Sequence, residues 1–183
     1  AGYVVLNHLR PELESVSFET ISGELIVTRD GERFSMDFPA RAPTSLSVTE
    51  ALTDALGETP SEVHQSRDTL VLYDDEATVR RLTPDQAKLL ALDEGLGVIA
   101  TAKGDEVDFV SRFFVPKAGI AEDPVTGSAH CTLVPFWAER LGRTKLVAHQ
   151  VSPRGGELHC EHRGERVLMS GQCALFLTGN IHL

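Results

Sequence analysis

One segment of the chain is apolar on every side of the helix that it would form. From Gly127 to Leu141 the sequence reads GSAHCTLVPFWAERL, with charge only at Glu139 and Arg140, near the far end. A surface helix keeps a polar face, so a helix that is apolar all round must be enclosed. The chain has no apolar run of about 18 residues, the length that a membrane helix needs. We therefore expect a curved sheet or barrel around this helix, with a kink or a later start caused by Pro135.

The segments around this helix carry strand-type patterns. Residues 16–38 alternate apolar and polar side chains about Asp30-Gly31, which predicts a hairpin with a tight turn. Capping-box spacings that begin at Ser47 and Thr83 predict two short helices. The proline-bounded segment 39–43 predicts a linker and a domain boundary. Further strands are predicted at residues 61–73, 97–102, 107–115, 145–151, 156–163 and 165–177.

Charge and cysteine content exclude several classes of function. The chain has 17 basic and 27 acidic residues, a net charge of −10, and no cluster of Lys and Arg. Such a balance disfavours nucleic acid and anionic lipid as partners. The three cysteines are odd in number and irregularly spaced, which argues against a disulfide framework. With no secretory signal at the start of the sequence, we expect a reducing, cytoplasmic location.

The residues that enter the enclosed helix suggest a place for chemistry. The segment 122–129 reads EDPVTGSA, with Gly127 open to close approach and Ser128 adding a hydroxyl. A helix start presents unpaired N–H groups and a partial positive charge, which suits a carboxylate or a phosphate. The alternative is that Asp123 or Thr126 serves only as an N-cap. The spacing alone does not decide between the two.

Longer stretches of the sequence resemble the PhzF-like isomerase family of phenazine biosynthesis. The resemblance rests on SRFFVP at 111–116, on EDPVTGSAHC at 122–131, on RGGEL at 154–158, and on Pro135, Trp137 and Gln150. Upstream, SGEL at 22–25 and MDFP at 36–39 fit the same family. The likeness therefore covers nearly the whole chain.

The resemblance implies an α/β (α+β) fold of the diaminopimelate epimerase type. In that fold a mixed sheet or barrel wraps a central buried helix in each of two similar domains, and the active site lies between them. Residues 1–42 would then be a remnant of the first domain, a helix tail and a hairpin. Residues 43–183 would form the second domain, with the last strand returning to the first. A homodimer is the assembly that the family suggests.

The resemblance also implies cofactor-independent proton transfer at a carbon acid that bears a carboxylate. It assigns Asp123 a catalytic and substrate-binding role and assigns Gly127, Ser128 and Ala129 to the substrate carboxylate. In related epimerases a catalytic cysteine stands where Asp123 stands here. The ligand expected is a small carboxylate-bearing metabolite, with no metal and no cofactor. A dihydro-hydroxyanthranilate is the substrate in phenazine biosynthesis.

One departure from the family pattern weakens the expectation of catalysis. Family members carry a general acid/base glutamate, and a Gly-His pair on the first central helix, before the position that matches Ala1. On family analogy, either an N-terminal piece has been removed or it resides on another chain. The start at Ala1 instead of Met indicates a processed or truncated N-terminus, or a start recorded without its Met. We expect little isomerase activity from this chain alone. A non-catalytic, small-carboxylate-binding protein of the same fold is the alternative.

Three further groups of residues have structural explanations. Cys131, Cys160 and Cys173 fall in helix or strand patterns that predict small core residues. His159, Cys160, Glu161 and His162 alternate between two faces of a strand, so only two could meet at a metal. Arg112 could bind a substrate carboxylate, but an ion pair with Asp123 or Glu122 is the preferred interpretation.

Overall fold

The protein is a mixed α+β structure built around one large sheet. The computed structural model describes residues 1–21 and 23–180, so Ser22 of the predicted family motif lies outside the described residues. Twelve strands form the sheet: β1 (Ser15–Thr20), β2 (Gly23–Asp30), β3 (Arg33–Pro39), β4 (Thr44–Leu46), β5 (Glu62–Gln65), β6 (Thr69–Leu72), β7 (Val98–Lys103), β8 (Phe109–Phe114), β9 (Glu122–Asp123), β10 (Lys145–Gln150), β11 (Gly156–Arg163) and β12 (Arg166–Gly171). Five α-helices accompany them: α1 (Gly2–Val4), α2 (Glu50–Leu56), α3 (Glu76–Arg81), α4 (Gln86–Leu90) and α5 (Gly127–Leu141).

The strands do not follow chain order across the sheet. The order is β1-β2-β3-β12-β11-β10-β8-β7-β6-β5-β4, with β9 paired to β8 beside this path. The β6–β7 and β8–β10 pairs are parallel, and the other pairs are antiparallel. Strand β12 pairs with β11 on one side and with β3 on the other, so it joins the N-terminal hairpin to the rest of the sheet. The sheet is therefore mixed and continuous from the first strand to the last.

Helix α5 is enclosed, as its composition predicts. Every residue from Ala129 to Ala138 is buried, and the helix runs from Gly127 to Leu141 with Pro135 inside it. Its side chains form one core with inward residues of β6, β7, β8 and β10–β12. The Trp137 indole N–H donates to Thr101 Oγ1 at 3.0 Å, so the large polar ring inside this core has a partner.

A second core lies on the opposite face of the sheet, under α2, α3 and α4. Along β6, Leu70 faces the α5 core and Val71 faces the second core. Successive strand residues point to opposite faces, and both faces are covered here. This explains why the sequence of β6 is a continuous apolar run rather than an alternating one.

The N-terminal segment packs on the first hairpin. Helix α1 continues as a π-helix at Val5–Leu9, and Leu6 is fully buried. The predicted hairpin is confirmed: β2 and β3 pair up to Asp30 and Arg33, with Gly31 in the left-handed region at φ +61°. Gly2 lies so close to β2 that an added Cβ would sit 2.6 Å from a methyl of Val27.

The structure corrects several local predictions from sequence. Thr49 rather than Ser47 caps α2, and Asp85 rather than Thr83 caps α4. The side chains of Ser47 and Thr83 could also accept an N–H of a first helical turn. Each helix begins where the backbone leaves extended geometry, which is after Thr49 in α2 and after Asp85 in α4. Helix α3 was not predicted. It lies between β6 and α4, and Asp75 caps it by accepting the Thr78 N–H.

One strand prediction is confirmed in more detail and another is corrected. The strand character predicted for 61–73 is that of two antiparallel strands, β5 and β6, joined by a turn. The strand predicted at 165–177 ends at Gly171, and Cys173 beyond it is exposed, so Cys173 is not a core residue. Cys131 and Cys160 are buried, as predicted. Within residues 1–21 and 23–180, no helix is long and apolar enough to cross a bilayer.

Candidate functional site

The start of α5 is not capped by a side chain. Thr126 occupies the N-cap position, but its hydroxyl donates to Asp123 Oδ2 at 2.7 Å instead of accepting a helix N–H. The Asp123 carboxylate is therefore bonded to Thr126 and is not itself the cap. Neither Asp123 nor Thr126 accepts a backbone N–H of the first turn of α5 with its side chain. The N–H groups of Gly127 and of the residues after it therefore keep their capacity to bind an anion.

Gln150, at the end of β10, holds this entry segment in place. Its side-chain oxygen accepts the Thr126 backbone N–H at 2.7 Å. Its side-chain nitrogen donates to the Asp123 carbonyl at 2.7 Å and to Thr126 Oγ1 at 3.1 Å. Gln150 is only 1% exposed, so these bonds form away from water and fix the direction in which α5 begins.

A second loop is fastened to the same segment. Ser152 Oγ donates to the Pro124 carbonyl at 2.8 Å and accepts the Gly155 N–H at 3.1 Å. A Cβ added to Gly156 would sit 2.5 Å from a methyl of Val125, so only glycine allows this approach. The loop 152–156 therefore stands at a fixed distance from the start of α5.

A cavity of about 610 Å³ opens beside the start of α5. Gly127 and Val125 form one wall and Arg154, Gly155 and Gly156 the next. The rest of the lining comes from the N-terminal segment and from strands that include β3 and β12, with Tyr3, Arg33, Phe34, Met36 and Met169 among its residues. A larger cavity, of about 770 Å³, lies at the other end of α5 beside Gly142 and Arg143, far from the helix start.

The four predicted site residues are divided between the cavity and its surroundings. Gly127 lines the cavity, whereas Asp123, Ser128 and Ala129 do not. Asp123 is partly buried behind Thr126, and Ala129 is 1% exposed within the core. Ser128 lies on the side of the helix that meets the β5–β6 turn, where its Oγ accepts from Arg67 at 3.0 Å.

Arg67 was not predicted from sequence. Its guanidinium bonds to Asp68 at 2.6 Å, and Asp68 is fully buried. Ser66 of the same turn shares a 2.8 Å hydrogen bond with Thr132 of α5. The Arg67-Asp68 pair between two strands was the available signal, but nothing in the spacing indicated that this turn meets α5.

Arg112 forms the structural ion pair that the sequence favours. Its Nε and Nη2 donate to the two carboxylate oxygens of Glu122, each at 2.8 Å. Its Nη1 also donates to main-chain carbonyls at the end of α3, the shortest at 2.7 Å to Leu82. With its donors used in this way, Arg112 ties β8, β9 and α3 together and is not placed to bind a ligand.

The titratable groups of α5 and of the core around it are held neutral by burial. Burial lowers the pKa of His130 to about 4, and its Nδ1–H donates to the Thr126 carbonyl at 2.7 Å. Burial raises the pKa of the Cys131 thiol and raises that of Cys160 to about 12. Neither thiol is therefore an activated nucleophile.

Metal ligands do not gather in the part of the chain that the structure describes. No group of three or more His, Cys, Asp or Glu side chains could hold an ion there. In the segment 159–162, His159 bonds instead to Glu157 at 2.7 Å, and His149 reaches the same carboxylate at 3.3 Å. These hydrogen bonds, that of His159 first, lower the pKa of Glu157.

Comparison with known proteins gives consistent results. The family model PhzC-PhzF, described as phenazine biosynthesis-like protein, matches residues 1–179. Two proteins of Pseudomonas aeruginosa, both named uncharacterized isomerases, are similar. One is 46% identical over 182 residues, covering 100% of this chain and 70% of the relative. The other is 49% identical over 171 residues, covering 93% of this chain and 65% of the relative.

A solved structure shows the same architecture. The crystal structure of a PhzF family protein from Enterococcus faecalis superposes with a TM-score of 0.96 at 45% identity, over 99% of this chain and 70% of that one. The chain thus spans about two thirds of the length of such relatives. On the matched residues and the shared fold, this chain belongs to the PhzC-PhzF family of phenazine biosynthesis-like proteins.

Proposed function

We propose that this protein acts as an isomerase that moves a proton at a carbon acid, and that the start of α5 binds the substrate carboxylate. The observation that supports it most is the position of Gly127, an uncapped helix N-terminus that opens on a cavity of about 610 Å³. Anions are stabilised by fixed N–H donors at a helix start, most strongly where water is excluded. The family membership and the isomerase names of the relatives support the reaction class.

The two proposed domains would share this site. The cavity is lined on one side by residues of the segment 1–42 and on the other by residues of 43–183. An anion that forms as a proton leaves carbon would be stabilised by the same N–H groups that hold the carboxylate. In this proposal the reaction needs no cofactor, and the acid/base glutamate lies outside these 183 residues, as the family resemblance implies.

Binding without chemistry is the second candidate, and one observation favours it. The Asp123 carboxylate, the catalytic candidate in this chain, bonds to the Thr126 hydroxyl at 2.7 Å and does not line the cavity. A carboxylate engaged in this way serves the shape of the entry segment. The protein would then hold a small carboxylate without moving a proton.

A pair of variants at Gly127 tests the binding step. Gly127→Pro removes one N–H while proline is well tolerated at the first position of a helix. Gly127→Ala keeps the N–H, and its Cβ has no atom within 4 Å. We expect Gly127→Pro to weaken benzoate binding about tenfold, the loss expected for one charge-assisted hydrogen bond, and Gly127→Ala to bind as wild type. Equal weakening in both variants, or none in either, would refute the proposal.

Solvent exchange distinguishes the two candidate functions. The protein is incubated in D2O with a dihydro-hydroxyanthranilate and with other small cyclic carboxylates, and proton NMR follows the loss of C–H signals. Exchange that depends on the protein supports the isomerase. Because the acid/base glutamate is proposed to lie outside these 183 residues, the incubation is repeated with the chain joined to the family segment that carries it. Binding that perturbs the amides of residues 127–129, with no exchange for any carboxylate in either form, supports the non-catalytic alternative.

A further inference from the structure

The cavity beside α5 is unusual in this protein for its arginines. The chain carries a net charge of −10, and most of its arginines pair with a carboxylate, among them Arg80 with Glu76 and Arg163 with Glu161. Within residues 1–21 and 23–180, Arg33, Arg41 and Arg154 have no such ion pair and no side-chain hydrogen bond. Of these three, Arg33 and Arg154 line this one cavity. Two unpaired guanidinium groups around one space in an acidic protein indicate an anionic occupant.

Both arginines stand on fixed parts of the structure. Arg33 is the first residue of β3, and in the β2–β3 register its backbone lies opposite that of Asp30. Arg154 is exposed at the tip of the loop 152–156, which Ser152 and Gly156 fasten to the entry segment of α5. A cation held on a rigid support loses less conformational freedom when it binds a ligand. Both guanidinium groups are therefore carried by held segments of backbone that border the same space.

The other charged side chain that lines the cavity is a carboxylate, and it forms no ion pair with either arginine. Glu157 also lines the space, but its carboxylate accepts from His159 at 2.7 Å and from His149 at 3.3 Å. Between the charged walls the lining is largely apolar, with contributions from Tyr3, Val27, Phe34, Met36, Leu158 and Met169. An occupant would meet two guanidinium groups and several apolar side chains in the same space.

We infer that the ligand of this site carries two acidic groups on an apolar body, with Arg33 and Arg154 as the residues that determine this specificity. The inference rests on the proposed function, because one acidic group would lie at the start of α5, on the side of Arg154. The second would lie at Arg33. A monocarboxylate would leave one guanidinium without a counter-charge, whereas a dianion would pair with both. The site therefore favours the dianion over the monocarboxylate.

Benzoate and the three benzenedicarboxylates test this directly. They share a ring, and the dicarboxylates present two charges at three different spacings. We expect at least one dicarboxylate to bind about tenfold more tightly than benzoate by isothermal titration calorimetry, the gain expected for a second charge-assisted contact. Succinate, a dianion without a ring, should bind more weakly than that dicarboxylate.

Arginine variants assign the preference to its residues. Arg33→Gln and Arg154→Gln should each reduce the affinity for the preferred dicarboxylate toward that for benzoate. Arg163→Gln, at an exposed arginine outside the cavity, should leave it unchanged, and melting temperatures check that all three fold. If benzoate binds as tightly as every dicarboxylate, or if the variants keep the preference, the inference is wrong while the role of the α5 start stands. If no carboxylate binds, both proposals fail.

Discussion

The backbone N–H of Arg41 donates to the carbonyl oxygen of Cys131 at 2.8 Å. In a regular helix that carbonyl would accept from residue 135, but Pro135 has no N–H. The segment after β3 therefore completes the hydrogen bonding of the central helix. This hydrogen bond explains how α5 accommodates a buried proline. The later helix start that the sequence allowed is not observed, because α5 begins at Gly127.

Removing the Arg41 N–H should destabilise the protein. Arg41→Pro leaves the Cys131 carbonyl without a donor inside the core, and we expect a loss of about 1–3 kcal/mol in the free energy of unfolding. Urea denaturation measures it. Arg41→Ala removes the side chain and keeps the N–H, so it should retain most of the stability. If Arg41→Ala costs as much as Arg41→Pro, the side chain and not the N–H is responsible.

The Arg112–Glu122 pair should contribute strongly to folding and little to binding. Both side chains are largely buried, at 11% and 16% exposure. Arg112→Met leaves Glu122 and three carbonyls without their donor, and we expect a loss of about 3–5 kcal/mol in the free energy of unfolding. Arg112→Lys keeps the charge but not the forked geometry, so it should recover only part of the loss.

Ligand affinity provides the second measurement for this pair. Arg112→Lys, where it folds, should bind benzoate with wild-type affinity, because the donors of Arg112 face Glu122 and the end of α3. A large loss of affinity at unchanged stability would instead place Arg112 in the binding site, the interpretation that the sequence left as second choice.

How much could be predicted from sequence differs between the core and the site. The enclosure of α5 follows from composition alone, because residues 129–138 offer no polar face and the structure buries all of them. The Asp30-Gly31 hairpin follows from turn chemistry, since few residue types adopt a left-handed conformation. In both cases the residues of one short segment determine the structure of that segment.

The rest depends on contacts between distant segments. Gln150 belongs to a family-like stretch, but nothing near it in sequence indicates that its amide joins Asp123 to Thr126. Arg67 reaches Ser128 across 61 positions in the chain. Arg33 and Arg154 line one cavity only because β12 pairs with β3 and joins the first hairpin to the rest of the sheet. Hydrophobic periodicity predicts which face is buried, and it does not predict which polar groups meet.

His130 should make stability depend on pH. Its pKa is lowered to about 4 by burial, from 6.5 in the unfolded chain, so below pH 6.5 the unfolded state binds the proton first. Stability is then lost as the pH falls from 6.5 towards 4. Between pH 7 and pH 5 we expect a loss of about 2 kcal/mol from this residue.

Two measurements check the role of His130. In His130→Asn the pH dependence over this range should flatten, whereas the matched substitution His162→Asn, at a partly exposed histidine of β11, should keep it. Should the asparagine variant not fold, NMR of the wild-type imidazole still decides the matter. The ring of His130 should stay neutral, with its proton on Nδ1, down to about pH 5. A ring that protonates near pH 6.5 would contradict the prediction.

The contact of Gly156 with Val125 offers a test of how the cavity wall is held against α5. Gly156→Ala places a Cβ 2.5 Å from one Val125 methyl and 3.2 Å from the other, so the loop 152–156 and the entry segment must move apart. We expect benzoate affinity to fall about tenfold or more, because the N–H donors of α5 and the loop 152–156 no longer fit the same ligand.

Val125→Ala removes both methyls, so the double variant Val125→Ala/Gly156→Ala should regain most of the affinity. Gly179→Ala, whose Cβ meets no atom within 4 Å, should have no effect. Val125→Ala is also measured alone, because Val125 lines the cavity. Affinity in the double variant above the sum of the two single effects shows relief of the contact, whereas a simple sum would show that the contact does not set the geometry of the site.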